Sequence, residues 1–168
     1  MKQLALLTTM AFLCSLDIYS QDYHFKPSFG AILDSTQTKS LMRQCSRTSY
    51  PKVKNYWNPT PNDIEQLENN FKKLYMDTLK TYYRFGKNID SLQHSGFQYV
   101  GIIIDRKKYI YINAFPLSLM KFYKEHKELN KDFYKSPVVM CDGGPRFWGA
   151  LFDIETQQFS DLSFNGNA

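Results

Sequence analysis

Histidine and cysteine are scarce in this chain, with three of each among 168 residues. The histidines, His24, His94 and His126, are dispersed and form no metal-ligand spacing with the cysteines, so neither a metal nor another cofactor is expected. No segment repeats at a fixed period, which excludes solenoids and propellers. Beyond Leu16 no apolar run approaches the ~20 residues that a bilayer span requires. A phosphate loop is missing too, because no Gly-Lys-Ser/Thr follows any glycine pair. Disorder is excluded by the opposite kind of evidence: 43% of the residues are hydrophobic and 16% are aromatic.

What is present begins with an export pattern. Met1, Lys2 and Gln3 make a short basic start, Leu4 to Leu16 is mostly apolar, and Asp17 to Asp22 is polar. That order predicts a secretory signal peptide over residues 1–20, cleaved near Ser20. Ile18, at −3 from that bond, is larger than the usual preference. A lipid anchor on Cys14 is disfavoured because Leu13 precedes it, and the apolar run is too short for a retained membrane anchor. The expected location is therefore periplasmic or extracellular, with no transmembrane span in the mature chain.

Export changes the meaning of the cysteines. Once Cys14 leaves, Cys45 and Cys141 form an even pair, which in an oxidising compartment reads as a disulfide. A bridge closing a loop of roughly 100 residues is worth about 4–5 kcal/mol in the chain-entropy picture. The competing reading makes Cys141 a nucleophile, which needs a base within hydrogen-bond reach.

After the signal, residues 21–58 show no lasting period and are expected to form an irregular arm tied down by Cys45, with room for a turn of helix around Thr38 to Arg43. Residues 59–168 are expected to form an α+β domain. Its clearest signal is Pro59-Thr60-Pro61-Asn62-Asp63, where Thr60 suits the N-cap, Pro61 the first helical position and Asp63 the reciprocal acid of a capping box. Ile64, Leu67, Phe71, Leu74, Tyr75, Thr78, Tyr82 and Phe85 follow at steps of three and four, up to Gly86. The pattern predicts one amphipathic helix of about six turns.

The remainder reads as about five antiparallel strands. Phe97 to Ile104 and Tyr109 to Phe115 make a hairpin with a charged tip at Asp105 to Lys108. A helix-compatible insertion, Leu117 to Lys135, precedes a short strand at Val138 to Cys141. Arg146 to Asp153 and Phe159 to Phe164 make a second hairpin. A lone sheet must bury its apolar face, so the long helix is expected to pack on it in a two-layer roll of cystatin-like architecture.

Chemistry concentrates in Asp142-Gly143-Gly144-Pro145-Arg146-Phe147-Trp148. Paired glycines admit a ligand to the backbone, Asp142 and Arg146 offer opposite charges, and Trp148 is a residue type favoured in recognition. The alternative for the same residues is a tight turn, with Trp148 in the core and Asp142 capping the turn. Asn113 and the terminal Phe164-Asn165-Gly166-Asn167 place amides near strand ends, where they bind a ligand or satisfy a backbone group. Asp142, Asp153 and Asp161 show no sign of convergence. Lys107 and Lys108, and Lys121, Lys124, Lys127, Lys131 and Lys135, give basic surface, but Glu125, Glu128 and Asp132 interleave with the second group. That is a solvated face, with a loose attraction to anionic envelope polymers or lipid headgroups as its alternative, and no nucleic-acid partner.

Tyr99-Val100-Gly101-Ile102, Tyr111-Ile112-Asn113-Ala114-Phe115, Pro137 to Gly144, Phe147-Trp148-Gly149 and Phe164-Asn165-Gly166 together resemble a group of small secreted bacterial proteins. Cys-Asp-Gly-Gly, Phe-Trp-Gly and Phe-Asn-Gly form the signature. The resemblance implies export and one domain, and it carries no catalytic residue. Inhibitory cystatins offer a second comparison. Their Gln-x-Val-x-Gly hairpin is matched only by Gln98-Tyr99-Val100-Gly101, with the glycine one residue early, and Pro145 and Trp148 are separated.

These residues predict a non-enzymatic exported binding domain, whose partner is a protein or an envelope polymer and whose aromatic-rich sheet leaves a face open. Asn113, Asp142, Gly143, Gly144, Arg146 and Trp148 are its candidate ligand-binding residues. The alternative is a small hydrolase or thiol enzyme centred on Cys141 and Asp142. A protease inhibitor of cystatin-like shape is a minor third reading.

Overall fold

The computed structural model describes residues 25–45, 47, 53–82 and 92–166. The expected signal peptide, its cleavage site near Ser20, and His24, Arg84, Phe85, Gly86 and Asn167 lie outside the described residues.

The Thr60 cap forms as its sequence predicts. Thr60 Oγ1 accepts from the Asp63 N–H at 3.3 Å, and Asp63 Oδ2 accepts from the Thr60 N–H at 2.8 Å. Pro61–Asn69 (α2) follows from this capping box. The expected single long helix is instead two, because α2 ends at Asn70 and Phe71–Tyr82 (α3) starts afresh. Asn70 is the cause: its side-chain amide donates to the Gln66 carbonyl at 2.8 Å, competing locally with the helical ladder. The apolar stripe survives the break, with Ile64, Leu67, Phe71 and Leu74 all buried. Tyr75, expected on that stripe, is exposed.

The sheet has six strands rather than about five. Ser95–Ile104 (β3) and Lys107–Pro116 (β4) form its central hairpin, paired from Ser95↔Pro116 to Ile104↔Lys107. The tip is two residues rather than four, since Asp105 and Arg106 take φ of 47° and 69° and close the turn alone. Trp148–Asp153 (β5) pairs β4, and Gln158–Phe164 (β6) pairs β5.

The other two strands come from the segment expected to be irregular. Gly30–Ile32 (β1) pairs β3 in parallel, and Val53–Trp57 (β2) pairs the later part of the same β3 edge in antiparallel. Between them lies Ser35–Leu41 (α1), capped by Asp34, whose carboxylate accepts from the Thr36 N–H at 2.9 Å. Three-residue β1 is too short to show a period, so its pairing is set by the β3 edge and not by local pattern.

Val138 to Cys141 is not a strand. It crosses a sheet face instead of joining an edge, and side-chain amides supply its hydrogen-bond partners. Leu117–Glu125 (α4) forms within the expected helical insertion.

Both faces of the sheet are covered. Phe97, Tyr99, Ile112, Trp148 and Phe152 pack against Ile64, Leu67, Phe71 and Leu74 of the two helices. On the opposite face Val100, Ile102, Tyr111 and Leu151 lie with Leu33 and Leu41, and Phe115 lies with Phe29, Phe133, Val138 and Phe147. The expected open aromatic face is therefore absent among the described residues: Tyr111, Phe115 and Trp148 are at most 2% exposed. Alternation along β3, β4 and β5 sends apolar side chains to both sides, and each side finds its own cover.

Candidate functional site

Asn113 lies midway along β4 and is wholly buried. Its Nδ2 donates to the Val138 carbonyl at 2.9 Å, and its Oδ1 accepts from Arg47 Nη1 at 2.7 Å. Gln98, its cross-strand partner on β3, accepts the Val138 N–H at 2.8 Å and donates to the carbonyls of Phe133 and Ser136, both at 2.8 Å. Gln44 bonds Val138 and Met140 in the same way, and Asn165 donates to the Met140 carbonyl. Four amide side chains thus hold the crossing segment where a neighbouring strand's backbone would otherwise serve.

Arg47 joins these amides into one network. Besides Asn113 it donates to Asn165 Oδ1 and to the Tyr111 hydroxyl at 3.2 Å, and it is only 7% exposed. Burial raises the Tyr111 hydroxyl above its ordinary pKa, and the nearby guanidinium opposes that rise. Space for both groups comes from Gly149, where a Cβ would stand 2.7 Å from the Tyr111 hydroxyl and 3.1 Å from Arg47 Nη1.

The Cys45–Cys141 bridge closes this region, with the Cα atoms 4.8 Å apart. Cys141 is thereby a half-cystine with no thiol to act as a nucleophile.

Next along the chain, Gly144–Arg146 forms one 3-10 turn in which Gly144 takes φ 68°. Asp142 and Arg146 are exposed, and Gly144 is buried. The Gly144 N–H donates to the Gly166 carbonyl at 3.0 Å, tying this turn to the chain after β6. Asp153 sits at the far end of β5, accepting the N–H groups of Glu155 and Thr156, while Asp161 occupies a bulge in β6 with φ 52°. Asp142 and Asp153 therefore flank opposite ends of one strand. Among the described residues no group of His, Cys, Asp or Glu stands where it could hold a metal ion.

Arg146 and Trp148 do converge. They line a cavity of ≈580 Å³ with His94, Ser95, Pro116, Leu117 and Ser118, where β3 begins and β4 gives way to α4. Trp148 is core and cavity wall at once, being 1% exposed. The six candidate residues consequently divide: Asn113 serves the buried network, Asp142, Gly143 and Gly144 shape the turn, and Arg146 and Trp148 reach the cavity. Sequence reasoning weighed His94 only as a base for Cys141 or Asp142 and missed Ser95 and Ser118; the three come together only when β3 and β4 pair. It also missed Arg47, whose isolated position gives no local signal.

Gln98, Tyr99, Val100 and Gly101 lie within β3 and are buried, whereas an inhibitory hairpin would offer them at a tip. In the lysine-rich insertion Lys121, Lys124, Lys127 and Lys135 are exposed, with Lys121 3.9 Å from Glu125, whereas Lys131 is half-buried and donates to the Pro137 carbonyl. Among the described residues no helix is long and apolar enough to cross a membrane. Compared with known proteins, the chain matches no family model, no curated protein and no solved structure.

Proposed function

We propose that this chain is an exported, non-enzymatic binding domain whose ligand enters the cavity beside Trp148. The observation that carries the reading is the convergence of Arg146 and Trp148 with His94, Ser95 and Ser118 on an otherwise apolar wall of Pro116 and Leu117. Ligand cavities combine apolar lining with a few placed polar groups in this way. Exposed Arg146 supplies a fork of donors suited to a carboxylate, His94 adds a ring nitrogen, and Pro116 and Leu117, backed by the buried Trp148, face the body of the ligand. The ligand is thus a small molecule or chain end that carries an anionic group on an apolar body.

Export and signal cleavage near Ser20 belong to the same reading, and the Cys45–Cys141 bridge supports them, since such bridges persist in oxidising compartments. The partner presenting the anionic group is an envelope polymer or a protein rather than a nucleic acid. The cystatin-like roll enters only as an analogy for helices laid on one sheet face.

Titration with phenylacetate, followed by tryptophan fluorescence, tests the proposal. Saturable quenching is expected for phenylacetate and not for neutral phenylacetamide, and Arg146→Ala should abolish it. Equal response to both probes, or an unaffected Arg146→Ala protein, overturns the reading.

A further inference from the structure

A second cavity, of ≈470 Å³, opens between β1, one face of α2 from Pro61 to Asn69, and β3. Its walls are apolar where Phe25, Ile32 and Ile64 line it, and a carboxyl group, Glu68, lies within. Glu68 is not a loose surface acid. The wholly buried Tyr99 hydroxyl donates to its Oε1 at 3.0 Å, which fixes the carboxylate against the sheet. One such bond leaves most of a carboxylate's acceptor capacity unused.

The backbone facing this pair is built for approach. A Cβ on Gly30 would stand 3.2 Å from the Tyr99 ring and 3.4 Å from Glu68 Oε1, so the bare glycine leaves the way to the carboxylate clear. At the mouth, exposed Lys26 and Glu65 carry opposite charges. Inside, burial raises the Glu68 carboxyl above its ordinary pKa; the Tyr99 hydrogen bond and Lys26 draw it back, and Glu65 adds to the rise. A partly desolvated carboxylate beside the apolar Phe25, Ile32 and Ile64 favours a cation, and exposed Lys26 at the rim supplies only part of that charge.

We infer that this cavity binds an ammonium group on an aliphatic stem, the chemistry of a lysine side chain. The stem lies along Phe25, Ile32 and Ile64, and the ammonium donates to Glu68. The site is separate from the cavity beside Trp148 and stands or falls independently of it.

Amide chemical shifts of the intact protein, recorded during titration with N-acetyl-lysinamide, test the assignment, with N-acetyl-norleucinamide as the neutral probe. Saturable shifts at Gly30 and Glu68 are expected with the lysine probe alone. Glu68→Gln, which keeps an acceptor for Tyr99, should weaken binding by about tenfold or more, the usual worth of a charged hydrogen bond. Gly30→Ala should weaken it as well. Affinity should fall as acid protonates Glu68, and Tyr99→Phe should move that midpoint to higher pH by removing a bond that favours the carboxylate. Equal binding of the norleucine probe, or unchanged affinity in a folded Glu68→Gln protein, overturns the assignment.

Discussion

Asn113 donates to the Val138 carbonyl at 2.9 Å, joining the centre of β4 to a segment that belongs to no strand. Gln98 accepts the N–H of the same Val138 at 2.8 Å. Two neighbouring amides thereby satisfy both backbone groups of one residue, and Arg47 braces the Asn113 oxygen from the other side.

Truncation at this point removes one hydrogen-bond partner from each of two buried groups at once, Val138 and Arg47. Asn113→Ala removes an acceptor from Arg47 and a donor from Val138, so the expected cost is about 2–4 kcal/mol, above that of a typical single bond. Urea unfolding of wild type and variant measures it. An unchanged midpoint would show that the network contributes nothing to stability.

Gly149 makes a sharper test of the same region. A Cβ there meets the Tyr111 hydroxyl at 2.7 Å, so Gly149→Ala should destabilise by about 1–3 kcal/mol through overpacking. Tyr111→Phe deletes the clashing oxygen. The double variant should recover part of the Gly149→Ala loss, giving a favourable coupling of about 0.5 kcal/mol or more in a double-mutant cycle. Strict additivity would show that the hydroxyl is not what the new methyl meets.

The bridge that closes the network has its own measurable worth. Replacing Cys45 and Cys141 together by serine should cost about 2–5 kcal/mol, the usual range for a native disulfide. Thermal unfolding compares the variant with wild type, and a reductant should lower the wild-type midpoint toward that of the variant. Intact mass would rise by two hydrogens on reduction if the bridge is the one described.

The hairpin tip holds an opportunity in the opposite direction. Arg106 adopts φ 69°, a left-handed conformation that glycine enters without strain from a Cβ. Arg106→Gly should therefore stabilise by up to about 1 kcal/mol, with the entropy of the unfolded glycine limiting the gain. Urea midpoints decide it, and a loss of stability would contradict the turn geometry.

Local signals and long-range pairing explain what could be read from the chain. The Thr60 cap, the stripe from Ile64 to Leu74 and the β3–β4 hairpin rest on neighbouring residues, so their spacing announces them. The break at Asn70 turns on one side-chain amide choosing the Gln66 carbonyl, inside a stripe that continues unbroken. β1 and β2 have partners only on the distant β3 edge. Val138 to Cys141 looks like a strand in composition, yet its hydrogen-bond partners are side chains from β3, from β4 and from the chain beyond α1 and β6. The same division holds at the cavity: Arg146 and Trp148 share one short segment, whereas His94 and Ser118 reach them only through the fold.

Acid titration gives a further signature, and its sign follows from Glu68. Burial raises this carboxyl above its unfolded value, so the folded chain holds the proton more tightly than the unfolded chain does. Stability from this group is fully present below the unfolded pKa and is lost as pH rises through the folded one. Glu68→Gln removes that dependence while keeping an acceptor for Tyr99. The variant should gain stability relative to wild type as pH rises above the ordinary glutamate range, and the gap should close in acid. Urea midpoints collected across that range check the direction; a gap that widens toward acid would mean that a favourable partner, rather than burial, governs Glu68.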